Sequence, residues 1–236
     1  MNKEDGFTII ELLIASIAFT VLLILVTMIV IQVSRVYYKG VILSNTQNVD
    51  SVVMQDVSKD IQFGSNTPNM PVSLPETFGN FTVYCVGNNI FIYNLGQEFT
   101  QISSSNIGLI YGSSTTCPTN GPNPSTLINK DIQNGEFQEL LSPMMRVVNF
   151  SITPKSLTNL NGSLLYDINI GIAFGSNQAL CNSSVVNTCT NQDTMSIKNN
   201  YSNYSGKYVQ CKLQLGDQYC GVSYLNTTVA NEYNLN

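Results

Sequence analysis

The sequence predicts an α+β protein: one long N-terminal α-helix, transmembrane in its first half and amphipathic in its second, packed on an antiparallel β-sheet head. Three observations carry this expectation. Residues 7–31 are apolar apart from Glu11 and a few Ser and Thr. No proline occurs before Pro68, and apolar residues recur at helical spacing as far as Ile61, so nothing of that kind breaks the helix. Beyond residue 80, short runs of alternating apolar and polar residues lie between Gly, Asn, Ser and Pro, the pattern of strands and turns that follow a helix in an α+β domain.

Residues 1–6 form a short polar leader in which Lys3 is outweighed by Glu4 and Asp5, and it ends at Gly6. The next segment, residues 7–33, is longer than the ~30 Å hydrocarbon core of a bilayer at ~1.5 Å per residue. It carries one carboxylate, Glu11, and a carboxylate in such a segment is costly and marks function. A secretory signal would have a basic start, an apolar run of ~7–15 residues and an Ala-x-Ala-like site after it; this segment has none of these. A plain signal-anchor explains the apolar run but neither Gly6-Phe7 nor Glu11. Arg35 and Lys39 follow the span, against the tendency of positive charge to stay inside. The cysteines and composition of the remainder still place it outside.

Residues 34–63 make the amphipathic half. Val33, Tyr37, Val41, Val49, Val52, Val53, Val57 and Ile61 fall on one helical face, and Gly40 is a candidate for local bending. The cluster from Gly64 to Pro68 ends the helix, and residues 64–236 form the β-rich head. Residues 81–86 and 90–93 are expected as strands joined through Gly87-Asn88-Asn89, with a third over 106–111. Residues 112–124 read as a loop. The clearest alternation lies in 146–153 and 164–174, with a poorer match in 207–215. Residues 177–205 are a polar segment too long for a plain connection.

Composition excludes several classes of function. With 236 residues, 43% of them hydrophobic, the chain can bury a sizeable core. It contains no histidine, which removes the commonest general base and metal ligand and any Ser-His-Asp or Cys-His arrangement. The stretch from Asp131 to Glu136 lacks the ligand spacing of a calcium loop. No catalytic site, metal or cofactor is therefore expected, and the chain is not expected to be an enzyme. Charged residues are 11% and net charge is −5, with no basic stripe for phosphates, so direct nucleic-acid binding is not indicated. The cysteines Cys85, Cys117, Cys181, Cys189, Cys211 and Cys220 all lie beyond the helix without a Cys-x-x-Cys pair. Their even number suits disulfides in an oxidising compartment. Neighbour pairing, Cys85–Cys117, Cys181–Cys189 and Cys211–Cys220, is the expectation adopted; buried free thiols are the alternative.

The run Gly6-Phe7-Thr8-Ile9-Ile10-Glu11-Leu12-Leu13-Ile14-Ala15-Ser16, with the apolar sequence on to Ile31, resembles the class III leader and N-terminal helix of type IV prepilins and type II secretion pseudopilins. Asp56-Val57-Ser58-Lys59-Asp60-Ile61-Gln62 and Arg146-Val147-Val148-Asn149-Phe150-Ser151-Ile152 look like the larger minor pilins and J-type pseudopilins. The resemblance implies the pilin fold and cleavage between Gly6 and Phe7 by a prepilin peptidase that also N-methylates Phe7. It implies storage in the cytoplasmic membrane with the N-terminus inside, then polymerisation with other pilin or pseudopilin subunits on an inner-membrane assembly platform. The product would be an extracellular or periplasmic filament of a type IV pilus or type II secretion-like system.

Cleavage after Gly6 would give Phe7 an α-amino group, largely cationic at neutral pH. Glu11, four residues on, could pair with it inside one helix; in the families resembled, the glutamate meets the N-terminus of a neighbouring subunit instead. A glutamate snorkelling to the membrane interface is the plainer alternative. The competing function is a permanently anchored, adhesin-like surface protein. Adhesion, twitching, DNA uptake and protein secretion all remain open as the service of such a filament.

Overall fold

Helix α1 (Ile9–Phe63) runs 55 residues without a break, straight through Gly40, about 83 Å at ~1.5 Å per residue. The structure, a computed structural model, describes residues 8–63, 76–78, 81–87, 89–100, 107–113, 137–155, 165–183, 208–212 and 219–231. Gly6, Phe7, the Gly64-to-Pro68 cluster, Cys117, Cys189, the Asp131-to-Glu136 stretch and most of the two expected long loops lie outside the described residues.

Two regimes divide α1. Thr46, Asp50, Val53, Met54, Val57 and Ile61 are buried on the head, a stripe at three- and four-residue spacing. Ile42, Leu43 and Val49 are half-buried beside it. The expected stripe is corrected at two points. Val33, Tyr37 and Val41 are exposed because burial begins at Ile42, where the chain at Gly221 first meets the helix. Val52 is 44% exposed, and its place on the buried face is taken by Thr46 and Asp50, polar residues that an apolar pattern passes over.

Among its described residues the head contains three antiparallel sheets. The first is a five-stranded meander of β1 (Glu76–Phe78), β2 (Phe81–Val86), β3 (Asn89–Tyr93), β4 (Leu109–Ser113) and β5 (Phe137–Glu139), in that order. The second has the order β10-β7-β6, from β6 (Met145–Lys155), β7 (Leu165–Phe174) and β10 (Gly221–Ala230). The third pairs β8 (Leu180–Ser183) with β9 (Tyr208–Cys211). The β2–β3 hairpin is tighter than expected, since Asn89 already pairs with Val86. Its turn is made possible by Gly87 at φ 59°, a left-handed conformation that glycine adopts freely.

The main core lies between α1 and the inner faces of the first two sheets. Val53, Val57 and Ile61 join Tyr84, Phe91, Phe150, Ile168, Ile170 and Ile172. Phe150 is its hub, with ring centroids 5.1 Å from Tyr93, 5.4 Å from Tyr84 and 5.8 Å from Phe91. Centroids that close suit tilted aromatic pairs. A β-bulge between Val147 and Asn149 changes the phase of β6. Met145 and Val147 face the main core before it and Phe150 and Ile152 after it, whereas Val148 is sent to the other face, as an extra residue in a period-two strand must do. On that other face Val148, Ala173 and Cys220 pack against Ala179 and against Leu180 and Val209 of the small sheet. Tyr224 ties the layers together: its ring covers Gly171, where a Cβ would come within 2.5 Å. Its hydroxyl accepts from the Val209 N–H at 2.8 Å and is 3.2 Å from the Val209 carbonyl.

The strand expectations over 81–86, 90–93, 146–153 and 164–174 correspond to β2, β3, β6 and β7, and the expected third strand lies slightly later as β4. Within the expected 207–215, Tyr208–Cys211 is strand and Lys212 is not; the other residues of that stretch lie outside those described. Strands β1, β5, β8 and β10 had no counterpart in the pattern. The omission matters most for β10, ten residues long and packed along α1. Its helix-facing residues include Gly221, Ser223 and Val229, all buried. Small and polar residues face inward because helix and strand approach too closely for larger ones, so no apolar alternation marks the strand.

Candidate functional site

The first half of α1 presents the features that the sequence singled out. Every large apolar side chain between residues 9 and 33 is exposed, from 48% at Leu23 to 80% at Ile9. No other part of the described chain covers them. A helix apolar all round and bare of protein contacts suits a bilayer or a bundle of like helices. Its hydroxyls are already satisfied. Ser16 donates to the Leu13 carbonyl at 2.8 Å, Thr20 to Ser16 at 2.7 Å, Thr27 to Leu23 at 2.9 Å and Ser34 to Val30 at 2.8 Å. Such back-bonding leaves no hydroxyl needing water, which a segment in hydrocarbon requires.

Glu11 is not solitary at the helix start. Thr8, just before the first helical residue, donates its backbone N–H to Glu11 Oε2 at 3.0 Å, and its hydroxyl donates to the same oxygen at 3.0 Å. In return the Glu11 N–H donates to Thr8 Oγ1 at 3.4 Å. This is a reciprocal capping box, which satisfies two of the free N–H groups that open every helix. The Thr-x-x-Glu spacing that signals it stands in the sequence, but reading Glu11 only against the Phe7 amine hid it. The cap uses groups downstream of the Gly6–Phe7 bond, so it survives cleavage there. Glu11 is exposed, with its second oxygen available to a cation.

Where the apolar half of α1 ends, Tyr37 and Tyr38 make an edge contact with centroids 6.1 Å apart, and both are exposed between Arg35 and Lys39. Aromatic and basic residues at a helix end are the usual interfacial anchors.

In the head, Cys211 and Cys220 are joined by a disulfide with Cα atoms 5.7 Å apart. Cys85 and Cys181 are each disulfide-bonded too; Cys117 and Cys189, the partners expected for them, lie outside the described residues. The residue that sequence reading undervalued is Arg146, which is fully buried. Its guanidinium donates to Glu98 at 2.9 Å, to the Gly96 carbonyl at 3.4 Å, and to the Gly175 carbonyl and Asn177 Oδ1. Burial lowers its pKa and the Glu98 carboxylate opposes that. Around it the 94–100 connection binds β6, through Gly96 N–H to Val147 at 2.7 Å and Phe99 N–H to Met145 at 2.8 Å. Arg146 thus locks the two larger sheets and the turn after β7 together. Its bonds are all to protein groups that need it, and this is a structural lock. Glu139 plays a similar part at the β4–β5 end, accepting N–H bonds from Leu109 at 2.7 Å, Gly108 at 2.9 Å and Leu141 at 3.0 Å. Among the described residues no group of three or more His, Cys, Asp or Glu side chains comes together.

Compared with models of known families, with curated proteins and with solved structures, the chain has no match.

Proposed function

We propose that this chain is a filament subunit of the type IV pilin or type II pseudopilin kind, processed after Gly6 and polymerised through α1. The observation that carries the proposal is the division of one unbroken helix. Its second half belongs to the core of a β-rich head. Its first half is bare, apolar on all sides and opens with a capped glutamate beside Gly6-Phe7. A subunit that is stored in a membrane and then withdrawn into a helical bundle needs such a surface, because lipid and neighbouring apolar helices are interchangeable surroundings for it. Back-bonded hydroxyls serve both environments equally. The disulfides and the sparsely charged head suit an oxidising compartment outside the cytoplasm.

N-terminal sequencing of the membrane-borne protein tests the reading, with a mature chain beginning at N-methylated Phe7 as the expected result. Replacing Gly6 with a bulky residue is expected to leave full-length precursor, since a side chain there obstructs a peptidase that binds the backbone closely. An unprocessed wild-type N-terminus would favour the permanently anchored, adhesin-like reading. Normal processing of the Gly6 variant would remove the prepilin assignment.

A further inference from the structure

The joint between helix and head carries an inference that does not depend on the filament reading. Thr46 and Asp50 lie one turn apart on α1 and are fully buried; Ser223 of β10, across the joint, is buried as well. The backbones are close here, since a Cβ on Gly221 would stand 3.0 Å from Ile42 Cγ2 and 3.1 Å from Thr46 Oγ1. The Thr46 hydroxyl is committed to the Ile42 carbonyl at 2.8 Å. Neither carboxylate oxygen of Asp50 completes a well-formed hydrogen bond. The neighbouring Ser223 hydroxyl favours the ionised form, but burial outweighs it and pushes the Asp50 carboxyl up to about 7.

Among the described residues no countercharge relieves Asp50. Strand β10 carries no Asp, Glu, Lys or Arg, and its Tyr224 is bound to Val209 on the far side. The charged residue of β7, Asp167, bonds to Thr228 and Lys155 on the outer face, and its Tyr166 lies in the main core. From β2, Tyr84 is held in the aromatic cluster. Further along α1, Asp56, Lys59 and Asp60 sit at the other end of the buried stripe, where Asp60 meets Tyr111 and is pushed up to about 6. A buried ionised carboxylate with neither full hydrogen bonding nor an opposite charge is expensive, whereas the neutral acid can donate one bond and costs far less.

We propose that the seating of α1 on β10 is proton-dependent: the joint formed by Thr46, Asp50, Gly221 and Ser223 is closed while Asp50 is neutral and opens when it ionises. The closed joint holds the proton more tightly than the open one, in which Asp50 has its ordinary value of 3.8. Closure is therefore strongest below that value, weakens as pH rises towards about 7, and changes no further above it. Val53, Val57 and Ile61 lie deeper along the helix and keep it attached, so opening frees the segment that links head to span without unfolding the head.

Hydrogen exchange of the full-length protein in detergent micelles tests this, followed on peptides covering residues 42–53 and corrected for intrinsic rates. From about pH 5 to about pH 7, protection of that segment is expected to fall roughly tenfold per pH unit and then level off, while β6 and β7 change little. Asp50→Asn should be protected and flat across the range, and Asp60→Asn should keep the wild-type profile in this segment. A flat wild-type profile, or unchanged pH dependence in Asp50→Asn, overturns the proposal. Carbon-13 carboxyl NMR of the wild type gives an independent reading that needs no core substitution: Asp50 titrating in the ordinary carboxylate range would overturn it equally.

Discussion

The two halves of α1 share one backbone and face opposite demands. Between residues 9 and 33 the helix is apolar on every side and covers nothing, and its hydroxyls turn inward onto their own carbonyls. From residue 42 onward it is amphipathic, and polar Thr46 and Asp50 are buried against the sheet while Val52 stands exposed. Hydrophobicity alone would predict the reverse ranking of burial. The comparison shows that burial within the chain follows the presence of a partner surface, whereas the apolar excess of the first half is addressed to a solvent or partner outside the chain.

If the first half serves assembly and the second serves folding, substitutions in them should separate cleanly. The largest effect is expected at Glu11. Glu11→Gln preserves the capping geometry, because glutamine also completes a capping box, yet removes the charge. It should leave cleavage and head stability unchanged while sharply reducing incorporation into filaments, as the amine of a neighbouring subunit would lose its partner charge in an apolar bundle. Normal incorporation measured on isolated filaments would remove the charge-pair mechanism.

Paired alanine substitutions sharpen the contrast in folding. Ile61 is fully buried and Ile24 is 50% exposed. Ile61→Ala should destabilise the head by about 2–5 kcal/mol, whereas Ile24→Ala should lie within about 0.5 kcal/mol of wild type in the same denaturant titration. Equal losses would mean that the halves fold as one unit. A smaller effect is expected where the regimes meet: Gly221→Ala sets a methyl against Ile42 and Thr46 and should cost about 1–3 kcal/mol. The smallest belongs to Thr8→Ala. It removes the cap but keeps the Glu11 charge, and should cost about 0.5–2 kcal/mol at the helix start with no change in the unfolding midpoint of the head. Loss of head stability in that variant would contradict the division.

What reading in one dimension reveals, and what it misses, follows the same boundary. The apolar run and the continuous helix are legible because apolarity and the absence of proline are properties of local sequence. Strands β6 and β7 are legible because apolar residues alternate along them, and β2 and β3 because they are short apolar runs, buried on both faces, set off by a Gly-Asn turn. The register of β6 is not, since the bulge at Val148 exchanges its faces midway. Residues such as Arg146 read as ordinary strand polarity until two separate chain segments, the 94–100 connection and the turn after β7, converge on the guanidinium.

By itself the sequence determined the length and apolarity of the first half of α1, its lone carboxylate and the absence of a histidine-based site, because each depends only on residue type and spacing along one helix. The tertiary structure alone decided where burial starts on α1, that β10 lies along it, and that Asp50 is sealed beneath Ser223. Those outcomes depend on how closely two backbones approach, and Gly221 and Ser223 allow that approach by being small, which gives them no hydrophobic signature to read in advance.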